Sequence, residues 1–285
     1  MAVRVGNKVQ AQVTRVEVGG TVRTRRDYLA AEEPMEIRLR AGGQQRTVAV
    51  TMRTPGQDFE LAAGFLFAEG VVTAREQIQQ IRYCVDPDVE PEQRYNIVTV
   101  WLDMPELPEL ATLERHFFTT SACGVCGKAT LEALEMRGCP VLPPGPQVTP
   151  EDLCCLPQRM RQEQPLFDRT GGLHAAGLFD PQGRLLAVRE DVGRHNAVDK
   201  LIGWALMQKR LPLHDAILMV SGRASYEILQ KSIVAGLPMV CAVSAPSNLA
   251  LALAQQFRVT LVGFLRGRRF NIYHDVGRIG LERNA

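Results

Sequence analysis

The residues best suited to chemistry are two cysteines in a glycine-rich stretch. Cys123 and Cys126 form a C-x-x-C pair with Gly124 inside it and Gly127 after it, and a helix is predicted over 128–136. A thiol beside the free N–H groups and positive dipole end of a helix is stabilised as thiolate, the form that attacks sulfur or binds metal. Cys123 is therefore a candidate nucleophile.

Zinc binding and simple burial are the alternatives for this pair. Structural zinc needs four ligands, and although Cys139, Cys154 and Cys155 are available, adjacent cysteines chelate poorly. A zinc deaminase would also need an H-x-E motif, and none of the five histidines has a glutamate two positions later. Burial is less favoured because the small residues around the pair fill a core poorly. Cys84 and Cys241 lie in strand-like runs and are expected to be small core residues.

A second group consists of polar turns that follow predicted strands. Gly193 allows a tight turn, Arg194 and the helix start can hold an anion, and His195 can give or take a proton. A solvated, well-capped helix start is the alternative for that turn. Similar turns follow the next two strands, at Ser221, Arg223 and Ser244. Three polar turns at one edge of a sheet predict a ligand cleft.

The third group is the segment 264–269 at the end of the last long predicted strand. Its residues are Phe264, Leu265, Arg266, Gly267, Arg268 and Arg269. Guanidinium groups suit phosphate oxygens and stack on planar bases, so the segment is interpreted as a nucleotide or pyrophosphate clamp, with a basic surface loop as the alternative. The chain contains neither a P-loop nor a Rossmann glycine motif.

The elements that must position these groups alternate from residue 172 onward. Strands are predicted at 173–179, 184–188, 216–220, 239–243 and 259–264, with helices at 194–209, 224–235 and 247–257. This order predicts a largely parallel sheet covered on both faces, a three-layer α/β domain over 111–285 with its chemistry beyond the strand ends. Two strands, a helix and a further strand before it predict a smaller N-terminal α+β portion over 1–110.

Composition limits the function classes. The chain has 285 residues, 46% of them hydrophobic, and a formal charge of +2, which is too small to indicate nonspecific nucleic-acid binding. It has no apolar run long enough for a membrane span, and because residues 1–20 contain no apolar region followed by a cleavage site, we expect no signal peptide. Seven cysteines, an odd number, suit a reducing compartment. We therefore expect a cytoplasmic protein with no nucleic-acid or membrane partner.

Taken together, the motifs resemble those of the FdhD family of formate dehydrogenase accessory sulfurtransferases, from about Glu33 to the C-terminus. The matching segments are Ala122–Gly127, Glu190–Lys200, Ser221–Glu227 with Gln230 and Lys231, Ala242–Ala245 and Thr260–Phe264. The resemblance implies a homodimeric, cytidine-deaminase-like α/β fold without its zinc.

The resemblance also implies a function. A cysteine desulfurase would supply sulfur as a persulfide on Cys123, with Cys126 as a second thiol. The sulfur would pass to the molybdenum cofactor in its bis-guanine-dinucleotide form (bis-MGD) before that cofactor enters formate dehydrogenase. The segment 264–269 matches the family's cofactor-binding segment, and GDP is expected to fit there. A non-catalytic cofactor chaperone and a C-x-x-C zinc protein remain the alternatives.

Overall fold

A computed structural model describes residues 6–90, 93–108 and 138–281. The described chain begins with a hairpin of two strands, β1 (Lys8–Val16) and β2 (Val22–Ala30), which form a sheet of their own. The C-x-x-C cysteines and the boundary expected near residue 110 lie outside the described residues.

The N-terminal portion contains a second, four-stranded sheet. Its strands are β3 (Glu33–Ala41), β4 (Gln44–Arg53), β5 (Ile78–Tyr83) and β6 (Ile97–Leu102), in the order β4-β3-β6-β5. Alternate residues of β3, Met35, Ile37 and Leu39, are fully buried, as the period of a half-buried strand requires. Helix α1 (Asp58–Ala68) follows β4 and shares the buried core with this sheet.

The larger portion contains a six-stranded sheet and five helices in its described part. The elements are α2 (Pro150–Gln162), α3 (Pro165–Thr170), β7 (His174–Phe179), β8 (Leu185–Asp191), α4 (Arg194–Met207), β9 (Ile217–Val220), α5 (Tyr226–Val234), β10 (Met239–Ala242), α6 (Asn248–Phe257), β11 (Thr260–Arg266) and β12 (Arg269–His274). The strand order is β12-β11-β10-β9-β7-β8. The α/β class predicted from the sequence is confirmed.

The prediction of a largely parallel sheet is wrong in one respect. Strands β9, β10 and β11 are parallel, but β7 is antiparallel to β8 and β9, and β12 is antiparallel to β11. Short turns join β7 to β8 and β11 to β12, and a short turn can join only antiparallel neighbours. Even so, β8, β9, β10 and β11 point in one direction, so their carboxyl ends share one edge of the sheet.

Helices cover both faces of this sheet. Helix α2 packs through Leu153, Leu156 and Met160 on one face, in a core shared with Met219 of β9. Helices α4, α5 and α6 belong to the core of the other face, together with Leu218. Helix α1 packs against α4, so the N-terminal portion rests on the same helical layer that carries the first polar turn.

Two glycines let α1 and α4 approach closely. A Cβ at Gly64 would overlap the carbonyl oxygen of Asp199, and one at Gly203 would overlap that of Glu60. We expect Gly64→Ala to lower the free energy of unfolding by about 3 kcal/mol, because backbone atoms must move apart. Gly172→Ala is the matched control, since its Cβ would lie 3.8 Å from the nearest atom outside the flanking residues. Urea denaturation of both variants tests this, and equal stabilities would contradict it.

Candidate functional site

The turns after β9 and β10 and the end of β11 are joined by their backbones. The amide of Ser244 donates to the carbonyl of Gly222 at 3.3 Å, and the amide of Phe264 donates to the carbonyl of Ser244 at 3.2 Å. These hydrogen bonds link the segments in the same order as the strands β9, β10 and β11 that precede or contain them. The common edge predicted for these turns is therefore present in the fold.

The start of α4 reaches the same edge through His195. Its Nε2 atom lies 2.7 Å from Oε2 of Glu227 and 3.2 Å from Oγ of Ser225, both at the beginning of α5. A Cβ at Gly222 would lie 3.4 Å from Nδ1 of His174 and 3.8 Å from Cδ of Arg194. The edge thus gathers two imidazoles and a guanidinium beside a glycine turn.

The titration of the neighbouring groups reflects this concentration of positive charge. The hydrogen bond from His195 lowers the pKa of Glu227 below its ordinary value, although burial opposes the shift. Burial lowers the pKa of His174, and the charges of Arg194 and His195 lower it further. This arrangement suits an anionic ligand, because it offers cationic donors at the start of a helix.

Two buried ion pairs connect α4 to its neighbours, one to β8 and the other to α5. Lys200 Nζ lies 2.7 Å from Oδ2 of Asp191, and both side chains are almost completely buried. Oδ1 of Asp191 accepts a hydrogen bond from the amide of Gly193 at 2.8 Å. Lys231 binds Asp199 at 2.8 Å. Against the effect of burial, carboxylates led by Asp199 raise the pKa of Lys231, so the lysine remains charged.

Sequence reasoning did not assign a role to either ion pair. The available signal was a charged residue inside an otherwise apolar stretch: Lys200 precedes Leu201 and Ile202, and Lys231 lies within a helix whose inner face is apolar. The partners could not be predicted in the same way. Lys200 donates to the carbonyl of Thr54, which is 146 residues away in the chain.

The basic segment 264–269 consists of the end of β11, a tight turn at 267–268 and the first residue of β12, whereas the sequence predicted a loop at the end of the last long strand. Gly267 forms the turn with φ of 56°, and Arg266 Nε donates to the carbonyl of Val243 at 2.9 Å. Phe264 is 40% exposed and adopts φ of 53°, a conformation that costs a non-glycine residue about 1–3 kcal/mol. Leu265 is completely buried in the core, so its side chain anchors the turn.

The remaining predicted site residues differ in their exposure and in their hydrogen bonding. Ser221 Oγ already accepts a hydrogen bond from the amide of Ala175 at 2.9 Å. Ser244 is partly buried, and four arginine side chains at the turns are exposed and available to a ligand: Arg223, Arg266, Arg268 and Arg269. Arg268 lies near enough to Cys154 to oppose the rise in the pKa of that thiol that burial causes.

The other cysteines divide into buried and partly exposed groups. Cys241 is completely buried, as predicted, and burial raises the pKa of its thiol. The prediction for Cys84 is wrong, because it follows the end of β5 and is partly exposed. Cys139, Cys154 and Cys155 are also partly exposed. No group of three or more His, Cys, Asp or Glu residues suited to a metal ion occurs among residues 6–90, 93–108 and 138–281.

Two cavities lie beside the edge strand β8, with volumes of about 450 and 220 Å³. The first is lined by residues of α2 and β8, including Arg159 and Arg189, and the second includes Glu190 and Lys200. Neither is lined by a side chain of the predicted ligand site. We assign the candidate site to the strand-end surface because the polar turns and cationic side chains meet there.

The comparisons with known proteins agree with this organisation. Residues 30–280 match the model of a family described as the FdhD/NarQ family. The chain belongs to the FdhD/NarQ family. That match covers the four-stranded and six-stranded sheets of the described structure, but only the last residue of the N-terminal hairpin.

Members of the FdhD/NarQ family named "Sulfur carrier protein FdhD" are close relatives. The protein of Streptomyces coelicolor is 52% identical over 266 residues, covering 92% of this chain and 93% of its own length. That of Mycobacterium tuberculosis is 49% identical, covering 90% and 93%. The archaeal relative from Sulfurisphaera tokodaii is 41% identical, covering 94% and 99%.

A solved structure shares the fold of this FdhD/NarQ family member. It is a crystal structure from Desulfotalea psychrophila described as a formate dehydrogenase accessory protein. The TM-score is 0.72 at 26% identity, covering 95% of this chain and 99% of that one. In the described part of the chain, no helix is both long and apolar enough to cross a membrane.

Proposed function

We propose that this protein is a cytoplasmic, homodimeric sulfur carrier for formate dehydrogenase maturation. It takes persulfide sulfur from a cysteine desulfurase on Cys123 and transfers it to the molybdenum cofactor, as bis-MGD, before the cofactor enters the dehydrogenase. The full-length similarity to proteins named sulfur carriers supports this role. The anion-suited edge formed by the strand-end turns is the structural observation that carries the nucleotide part of the proposal.

Sulfur loading is a thiol exchange reaction. The Cys123 thiolate attacks the terminal sulfur of the desulfurase persulfide, a new S–S bond forms, and the desulfurase cysteine leaves as a thiolate. Cys126, three positions after Cys123 in the sequence, is the second thiol in this scheme, either forming a disulfide that releases the sulfur or assisting its transfer. A persulfide transferred in this way requires no external oxidant, because the sulfane sulfur moves with its oxidation state unchanged.

The strand-end edge supplies what a guanine nucleotide needs. Arg194 and His195 offer positive charge and donors for phosphate oxygens at the start of α4. The exposed ring of Phe264 offers a surface on which a base can stack, and the arginine turn beside it adds further cationic groups. We therefore expect GDP, a fragment of bis-MGD, to bind at this edge.

We expect Phe264→Gly to weaken GDP binding about tenfold while increasing stability. Loss of the stacking surface removes about 1–3 kcal/mol of binding free energy, and glycine adopts the positive φ without strain. Calorimetric titration and urea denaturation measure the two effects. Arg258→Gly is the matched control, because Arg258 is exposed with φ of 59° at the end of α6. It should gain stability with unchanged GDP affinity, and equal loss of affinity in both variants would contradict the stacking role.

The carrier role is tested by producing a formate dehydrogenase in a host that lacks its own carrier. We expect dehydrogenase activity only when this protein is produced as well. A dehydrogenase that is equally active without it would contradict the proposal. Metal analysis of the purified protein tests the zinc alternative: stoichiometric zinc that is lost in Cys123 and Cys126 variants would exclude the persulfide mechanism.

A further inference from the structure

Thr54, the residue that follows β4, directs its polar groups at the turn that begins α4. Its amide donates to Oδ2 of Asp191 at 3.2 Å, and its Oγ1 accepts from the amide of Val192 at 3.2 Å. Its carbonyl accepts from Nζ of Lys200 at 3.0 Å. Thr54 is almost completely buried. These bonds join the N-terminal portion to the turn that carries Arg194 and His195, across 137 to 146 residues of chain.

Asp191, the last residue of β8, collects the other hydrogen bonds of this junction. Its Oδ1 accepts from the amide of Gly193 at 2.8 Å and from Nδ2 of Asn196 at 3.0 Å. Its Oδ2 accepts from Thr54 and lies 2.7 Å from Nζ of Lys200. A carboxylate has about four lone-pair sites, so this buried group is fully engaged. The backbone from 191 to 193 is thus held by groups from both portions of the chain.

A further bond ties the first turn of α4 to the end of β4. Nδ2 of Asn196 donates to the carbonyl of Met52 at 2.7 Å, and Oγ1 of Thr51 donates to Oδ1 of Asn196 at 3.4 Å. The end of β4 therefore contacts the turn on either side of Arg194 and His195, at Val192 and at Asn196.

Thr54 is itself held firmly by its neighbours in the sequence. Arg53 is almost completely buried, and its Nε and Nη2 donate to the two carboxylate oxygens of Asp58 at 3.2 Å each. Pro55 follows Thr54, and the residue before a proline is restricted to extended conformations. The N-terminal portion thus offers a rigid support to the turn.

We propose that Thr54 is a positioning residue for the nucleotide site: its Oγ1 holds the amide of Val192, so that Arg194 and His195 are kept in place at the strand-end edge. The inference rests on the proposed function, since the ligand is the same guanine nucleotide. A site ordered before binding gives higher affinity, because less conformational entropy is lost when the ligand binds. The N-terminal portion is then part of the ligand site, although Thr54 belongs to none of the motifs found in the sequence.

Replacing the hydroxyl of Thr54 tests the role directly. Thr54→Val removes the acceptor and keeps the shape of the side chain. We expect it to bind GDP about fivefold more weakly, the effect of one ordinary hydrogen bond, and to exchange amide hydrogens faster over residues 191–196. Thr54→Ser keeps the hydroxyl and should restore both properties. Calorimetric titration and hydrogen-exchange mass spectrometry measure them, at a temperature where urea denaturation shows every variant to be folded.

Thr99→Val is the matched control. Thr99 is also a buried threonine of the N-terminal portion, but it lies in β6. This variant should bind GDP as wild type does, with unchanged exchange over residues 191–196. A purely structural role for Thr54 would speed exchange throughout the six-stranded sheet in Thr54→Val, rather than at the turn, and that result would overturn the inference.

A second variant approaches the same junction from α4. Asn196→Ala should also weaken GDP binding about fivefold, and combining it with Thr54→Val should cause little further loss, because both act through the position of one turn. If Thr54→Val does not fold, Asn196→Ala decides alone, and wild-type affinity in it would overturn the inference.

The outcomes separate this inference from the proposed function. Wild-type GDP affinity in Thr54→Val, failure of Thr54→Ser to restore binding, or an equal loss in Thr99→Val would each overturn the positioning role and leave the nucleotide site in place. Absence of GDP binding by the wild-type protein would overturn the proposed nucleotide site, and the inference with it.

Discussion

Formate dehydrogenase is expected to stay inactive when its sulfur carrier is the Cys123→Ala variant, although that variant should bind GDP with wild-type affinity. The variant lacks the thiol that receives sulfur, while Arg194, His195 and Phe264 remain at the strand-end edge. Dehydrogenase activity after co-production, together with GDP titration of the purified carrier, measures the two properties.

The prediction for Cys123→Ala has a matched control at another cysteine and two results that would contradict it. Cys84→Ala, which removes a partly exposed cysteine after β5, should leave both properties unchanged. If Cys123→Ala supported full dehydrogenase activity, the thiol would be dispensable and the non-catalytic cofactor chaperone would be the better account. Loss of GDP binding in Cys123→Ala would instead show that sulfur and nucleotide sites are not separate.

Removing the buried lysine of α4 should cause the largest loss of stability. Lys200→Met leaves the carboxylate of Asp191 buried without its cation, and breaking a buried ion pair in this way costs about 3–5 kcal/mol. Both side chains are almost completely inaccessible in the fold, with Nζ and Oδ2 2.7 Å apart. Urea denaturation followed by circular dichroism measures the change in the free energy of unfolding.

The same helix is followed by a matched surface pair. Lys209 binds Glu76, but the two side chains are 67% and 65% exposed, and such pairs contribute about 0–1 kcal/mol. Lys209→Met should therefore retain nearly wild-type stability. Adding Asp191→Asn to Lys200→Met removes the unpaired charge and should recover part of the loss. Equal stabilities of Lys200→Met and Lys209→Met would contradict the role of the buried pair.

Local sequence patterns were sufficient for most elements and for the position of the edge. Apolar runs followed by polar turns located β9, β10 and β11, and Ser247 indicated the start of α6, where its side chain accepts from the amide of Ala250. These features depend on residues close together in the chain. The same patterns predicted that Ser244 and the segment 264–269 lie at one edge of the sheet.

Long-range pairings could not be predicted from one sequence. The contact between His195 and Glu227 depends on how α4 and α5 pack, and the pair between Lys200 and Asp191 depends on the burial of both residues. Strand β12 was missed because Arg266–Arg269 was interpreted as a ligand loop, when Gly267 also allows a tight turn. The direction of β7 follows from its short turn to β8 and from its pairing with β9, and its apolar run encodes neither.

The most direct test of the carrier role is intact-mass spectrometry of the protein after incubation with a cysteine desulfurase and cysteine, without reductant. Wild type should gain the mass of one added sulfur that reductant removes, and Cys123→Ala should gain none. Absence of the adduct on wild type, or an equal adduct on Cys123→Ala, would contradict a persulfide carried on Cys123.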